Sequence, residues 1–455
     1  MQVKSVNQII KVTIITIVLS FYSMTTSAQS KDNLYMFGKI LCNELFLAER
    51  NLSDIIQEDL FSFPDYEIMH SEHKRAVEVR SKNEVINFSF GRNGCIARNP
   101  LRPDHLSATI QNLIEDEFYE DDPSALKNMR LIYVKHKGKI IGLKKSEKLS
   151  YDSLYAGYAF SDALINILLG SMIKDNYVDI NRNNLFDEWS RDERNEITIE
   201  NLARMTSGLE WNEALQSDDF DVFKMIANEN GAHDYCVNKG LANPFKSQNN
   251  LETTKKFSSI LGTQDSNSKS WKTEPGESWN YSSCDKQLLT QYLVETLRSN
   301  NKDLLGYLNT KLNKLGVSSV HIDKDSQGNY LISNFTYMTV RDWLNFADGI
   351  RNLSQGNTQD IIDKRWWKES TKPTQVLRGA IPRSIGFSLN GNDRYSKLHL
   401  GDQMPKDTIY VASVHSQYII YSKQLDLLVV ILGGTDTKSK FTHRYFLDRL
   451  MDVIK

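Results

Sequence analysis

The chain runs to 455 residues, 40% of them hydrophobic and 25% charged, with 55 basic side chains against 57 acidic ones. A near-neutral balance without basic blocks excludes the electrostatic footprint of a nucleic-acid or anionic-membrane binder. The length suits one large domain or two lobes around a cleft. The nine histidines show no H-E-x-x-H-like spacing, the cysteines are dispersed and no glycine-rich phosphate loop occurs, so no metal or cofactor is expected.

Residues 1–28 read as a signal peptide. Lys4 and Lys11 precede an apolar run from Val12 to Tyr22, followed by small residues up to Ala28, where cleavage is expected. The run is well short of the ~20 residues a membrane span needs. Without a cysteine at the cleavage site, a lipid anchor is not expected either. The mature chain is therefore expected to be periplasmic or secreted, with no membrane span. In such an oxidising compartment Cys42, Cys95, Cys236 and Cys284 form an even set with three pairings. Cys42–Cys95 with Cys236–Cys284 closes the shorter loops and is the expected pairing.

Residues 29–125 read as an N-terminal extension. Leu34, Phe37, Ile40, Leu41, Leu45 and Phe46 recur at helical spacing, and N-E-V-I-N-F-S-F (83–90) reads as a strand. The main domain is expected over 126–455. It begins with residues 129–145, whose alternation around K-H-K-G predicts a hairpin. The stretch 151–176 is apolar nearly all round from Ala163 to Ile173, as in a deeply buried helix. Residues 197–211 read as a short helix with Thr198 as N-cap and Gly208 as its stop. Residues 243–274 are polar and aperiodic, a surface insertion that is disordered or lid-like. Helices are expected at 283–299 and 334–353, strands at 408–422 and 425–434, and a closing helix at 440–455. Strands near both ends with helices between them predict an α+β fold: a mostly antiparallel sheet completed by the two ends, flanked by helices and a helical lobe.

Five segments in series resemble the landmarks of the serine β-lactamase-like hydrolases, the group near class C β-lactamases, esterases and aminohexanoate-oligomer hydrolases. They are L-L-G-S-M-I-K-D-N-Y-V-D-I, I-T-I-E-N-L-A-R-M-T-S-G-L-E-W-N-E, E-P-G-E-S-W-N-Y-S-S-C-D-K-Q-L-L, F-T-Y-M-T-V-R-D-W-L-N-F, and the run from Asp407 to Leu432. The resemblance implies a site between sheet and helical lobe, with Ser and Lys in an S-x-x-K motif at the head of the buried helix. One face then carries both, and the amine takes the hydroxyl proton. Aligned on Gly170, this chain has Ala159 at the Ser position and Asp162 at the Lys position. No Lys or Arg occurs from Leu149 to Ile173, so no register supplies the amine from this helix. Ser171 and Lys174 form a literal S-x-x-K at the wrong end of it, where the helix dipole opposes an anion.

The resemblance further places Tyr281 where a tyrosine shuttles a proton to the leaving group, with Ser283 as its third partner. On the late strand pair, Ser413 and Ser416 replace glycines and Gln417 is kept. The amides of Ala159 and Val414 would flank a bound oxyanion, with His415 facing the pocket. The expected function is an exported, β-lactamase-related serine hydrolase homologue, catalytically impaired, that binds a peptide, amide or cell-wall-type ligand or a partner protein. The alternative is an active ester or amide hydrolase using Asp162 as a base toward water, with Tyr281 assisting. A scaffold with a filled cleft is the third reading.

Overall fold

The computed structural model describes residues 32–454, apart from 73–74, 83, 92–93, 99–105, 119–127, 214–219, 243–271, 319, 359, 378, 391–399, 402 and 434–442. The expected signal peptide and nearly all of the polar insertion lie outside the described residues. Two compact units result, residues 1–102 and 103–455. No helix among the described residues is long and apolar enough to cross a membrane.

In the first unit, helices α1 (32–46) and α2 (Leu52–Glu58) pack with an antiparallel meander. Its strands are β1 (Glu67–Ser71), β2 (Ala76–Arg80), β3 (Val85–Gly91) and β4 (Gly94–Arg98). Sequence patterning finds the third of these strands; the two before it are short and carry few buried residues. Leu34, Phe37, Leu41, Val77, Val79 and Phe88 form the core, and Cys42 is bonded to Cys95 within it, Cα to Cα 5.9 Å.

The second unit is built on a six-stranded antiparallel sheet. Helix α3 (Ala108–Phe118) precedes the hairpin β5 (Met129–His136) and β6 (Lys139–Lys145), which turns through Lys137 and Gly138, both at positive φ. A small three-stranded sheet holds β7 (Leu154–Ala156), β8 (His321–Ile322) and β9 (Thr336–Thr339). The main sheet runs β12 (Ser388–Leu389), β13 (Ile409–Ser413), β14 (Gln417–Ser422), β15 (Leu427–Gly433), β5, β6, so strands from both ends of the unit complete it. A short hairpin, β10 (Thr374–Val376) and β11 (Gly379–Ile381), stands apart. Every residue of β15 is buried, because the strand is covered on both faces. That explains its unbroken apolar run. One face packs on α3 and the closing helix His443–Ile454 through Ile132, Val134, Ile420, Val429, Ile431, Phe446 and Leu450.

Between the two halves of the sheet the chain forms the helices: α4 (Ser161–Lys174), α5 (Ile199–Arg204), α6 (Asp221–Ile226), α7 (Ala232–Val237), α8 (Ser283–Ser299), α9 (Leu304–Asn313), α10 (Val340–Ser354) and α11 (Lys364–Ser370). Three expectations are corrected. Residues 408–422 form not one strand but β13 and β14, joined by a turn at Val414–Ser416 in which His415 and Ser416 take left-handed backbone. The segment 334–353 opens with β9, whose Thr339 then caps α10. Helix α5 ends at Met205, itself left-handed, before Gly208 is reached.

Candidate active site

Helix α4 carries the site because its other surroundings are core: every residue from Ser161 to Met172 is buried. It is entered through a 3₁₀ turn, Tyr158–Phe160, so Ala159 sits in the lead-in and Asp162 one turn on, in the first turn of the α-helix. Gly157 makes that entry: a Cβ there would lie 2.2 Å from the ring of Trp343. Gly386, at φ 80°, lets a loop cross the carbonyl of Asp162, which a Cβ would meet at 2.4 Å. A carboxylate in the first turn suits the positive end of the helix dipole.

The amine absent from the head of α4 comes from α8. Lys286 Nζ donates to Asp162 Oδ1 at 2.9 Å and to the Tyr281 hydroxyl at 2.9 Å, while that hydroxyl donates to Asp162 Oδ2 at 2.9 Å. Lys286 is 3% exposed and Asp162 8%. Burial alone would pull the Lys286 amine down, but the Asp162 carboxylate and Tyr281 outweigh it and hold the amine above its usual range, as ammonium. Burial, reinforced by the Asp162 charge, likewise lifts the Tyr281 phenol above its usual range. Neither group is poised to accept a proton.

The head of α8 is fixed from three sides. Ser282 caps it, accepting from the amide of Asp285 at 2.9 Å. Cys284 is bonded to Cys236 of α7, Cα to Cα 5.4 Å. Ser283, only 1% exposed, donates to Glu213 Oε1 at 2.7 Å, and its amide donates to Oε2 of the same carboxylate at 3.0 Å. The Ser283 hydroxyl is thus turned to Glu213. Beneath the cap, buried Asp285 accepts from Ser207 at 2.7 Å and from Ser282 at 3.2 Å. Burial pushes its carboxyl up to about 7, against those hydrogen bonds and the nearby Lys286 charge.

On the strand side, Ser413 ends β13 with its hydroxyl against the α4 entry. It accepts from the Ala159 amide at 3.2 Å and donates to the Gly157 carbonyl at 3.1 Å. A serine where the resemblance has glycine therefore occupies the amide that would face an oxyanion. Val414 and His415 are exposed, and the His415 ring stands edge-on to Tyr158, centroids 5.8 Å apart. Gln417 is buried at the start of β14. Ala159 and Tyr281 keep partial solvent exposure above the buried Asp162–Lys286 pair.

Of the residues expected at the site, Asp162 and Tyr281 are in direct contact, and Ala159 lies a turn away. Ser283 is adjacent in sequence but engaged elsewhere. Lys286, Glu213 and the role of the Ser413 hydroxyl were not anticipated. Lys286 had a signal: Ser283-Cys284-Asp285-Lys286 is itself a literal S-x-x-K at the head of a helix.

Two solved structures align over most of the chain. A provisionally assigned 6-aminohexanoate-dimer hydrolase from Bacillus anthracis matches with TM-score 0.53 at 11% identity, covering 72% of this chain and 79% of that one. A provisionally assigned beta-lactamase from Bacteroides dorei DSM 17855 matches with TM-score 0.53 at 11% identity, covering 76% and 98%. The chain has the serine β-lactamase-like fold. At that identity the likeness speaks for architecture alone. No protein-family profile matches the sequence. No curated protein matches it either. Within the β-lactamase-like fold, the antiparallel sheet with its helical lobe is thus established, while the chemistry rests on the residues above.

Proposed function

We propose that this protein is an exported, non-acylating member of the serine β-lactamase-like group that binds a peptide, amide or cell-wall-type ligand in the cleft over Ala159. The observation that carries the reading is the closed ring of Asp162, Lys286 and Tyr281 beneath a residue with no hydroxyl. A serine nucleophile needs a neutral base; here the one amine at hand is held as ammonium by a buried carboxylate. The Ser413 hydroxyl on the Ala159 amide removes a donor from the oxyanion position as well. The names of the two structural neighbours favour an amide-bearing ligand.

Water activation by Asp162 is disfavoured by the same geometry. Both carboxylate oxygens already accept a hydrogen bond, and protonating Asp162 would leave the Lys286 charge buried without its partner. The partial exposure of Ala159 and Tyr281 supports an accessible cleft over a filled one.

The deciding experiment exposes the full chain to a labelled penicillin and to a fluorophosphonate, followed by intact-mass analysis. No adduct is expected with either. A stoichiometric adduct mapped to any serine, Ser283 included, would overturn the reading and establish an active hydrolase.

A further inference from the structure

A cavity of about 340 Å³ opens at the far end of β13 from Ser413. Ile409 lines it, four residues before Ser413 on the same strand. At ~3.3 Å per residue this puts it roughly 13 Å from the α4 entry. The opposite wall is one face of α11 and its C-terminal end: Lys364, Trp367, Lys368 and Thr371 follow the i, i+3, i+4, i+7 spacing of a single helical stripe. The other side of that helix is taken up by Trp366, whose indole donates to the α4 carbonyl of Asn166 at 3.2 Å. The stripe is thus presented to the cavity by the packing of α11 itself.

Charge separates this cavity from an ordinary surface dimple. Lys364, Lys368 and Lys423 all line it, and none forms an ion pair among the described residues. Among the described lining residues the one carboxylate, Asp407, is turned to the strand turn behind it, accepting from Ser422 Oγ at 3.0 Å and from the Gln424 amide at 2.6 Å. The nearby Glu369 is paired with Lys372 at 2.6 Å. The wall therefore carries two more positive than negative charges, over an apolar floor that includes Trp367 and Ile409.

We propose that this cavity binds a small organic dianion, a phosphate monoester on a short apolar or aromatic body. The dianion matches the excess charge, and the ring packs beside Trp367. The volume sits at the small end of ligand sites, which suits a compact ligand. Charge-assisted hydrogen bonds to lysine are the strong ones, and they weaken as salt screens the exposed amines.

Calorimetric titration of the full chain with phenyl phosphate tests this, with phenyl sulfate and benzamide as monoanionic and neutral counterparts. Saturable binding is expected in the order dianion, monoanion, neutral, weakening as salt is raised. The double substitution Lys364→Ala/Lys368→Ala should weaken phenyl phosphate about tenfold or more. Both lysines are exposed, so the fold should survive, which circular dichroism of the double variant checks. Absence of saturable heat at millimolar phenyl phosphate, equal binding of benzamide, or an unchanged affinity in the double variant would each overturn the proposal.

Discussion

Replacing Lys286 with methionine should destabilise the second unit more than any surface substitution. The pair it forms with Asp162 is nearly sealed from water, and at 2.9 Å an effective dielectric near 20 gives an attraction of about 6 kcal/mol. Much of that only offsets the cost of desolvating the two charges. Removing one partner, however, strands the other charge in the core, and such losses run to about 3–5 kcal/mol. Lys286→Met leaves Asp162 with the Tyr281 hydroxyl alone; Asp162→Asn leaves a buried ammonium. The double variant removes both charges together and should fall within about 1 kcal/mol of wild type, or exceed it. The double-mutant cycle should therefore report a coupling of about 3 kcal/mol or more. All seven tryptophans lie in the second unit, so denaturant unfolding followed by tryptophan fluorescence reads the right part of the chain. Single variants that each cost under about 1 kcal/mol, or a double variant equal to their sum, would refute the structural pairing.

Asp285→Asn should flatten the pH dependence of stability. The folded-state carboxyl is raised to about 7 from 3.8, so its contribution is present in acid and is lost as pH rises through 7. Wild type should lose up to about 4 kcal/mol relative to the variant between pH 4 and pH 8, and parallel denaturation profiles would count against this. Cys236→Ser with Cys284→Ser should cost about 4 kcal/mol, given the sequence separation of 48, and a midpoint unchanged from wild type would contradict it. Ala159→Ser with Ser413→Gly should remain unlabelled by fluorophosphonate, because Lys286 is still an ammonium. Adding Asp162→Ala removes the counter-charge, burial then lowers the amine, and slow labelling at residue 159 should appear by mass analysis.

The landmarks legible in the sequence were those fixed by local chemistry. The 129–145 hairpin announced itself through alternation around its K-H-K-G turn, and the 283–299 helix through its amphipathic period. The buried helix α4 was legible because it is apolar all round. The turn between β13 and β14 was not, because serine and histidine stand at the left-handed positions where glycine would have marked it. Lys286 escaped for a different reason. Its contact with Asp162 joins residues 124 apart in the chain, and helical spacing speaks only to neighbours on one helix. Within α8 its one local mark is the S-x-x-K spacing from Ser283, which says nothing of a partner on α4.

The altered positions constrain one another. A lysine at position 162 would place a second amine where Lys286 now bonds, so the acidic residue on α4 and the basic one on α8 have to change together. Ser413 is tied to the α4 entry in the same way. Its hydroxyl bridges the Ala159 amide and the Gly157 carbonyl, giving both polar groups a partner where no substrate oxygen is bound. An oxyanion hole keeps such a donor open for the transition state; here the Ser413 hydroxyl satisfies it internally. Loss of one catalytic residue by drift would leave the remaining machinery intact and its buried polar groups without partners. Here the Ala159 methyl, the Asp162–Lys286 pair and the occupied Ala159 amide interlock, which is the arrangement the proposed non-acylating reading requires.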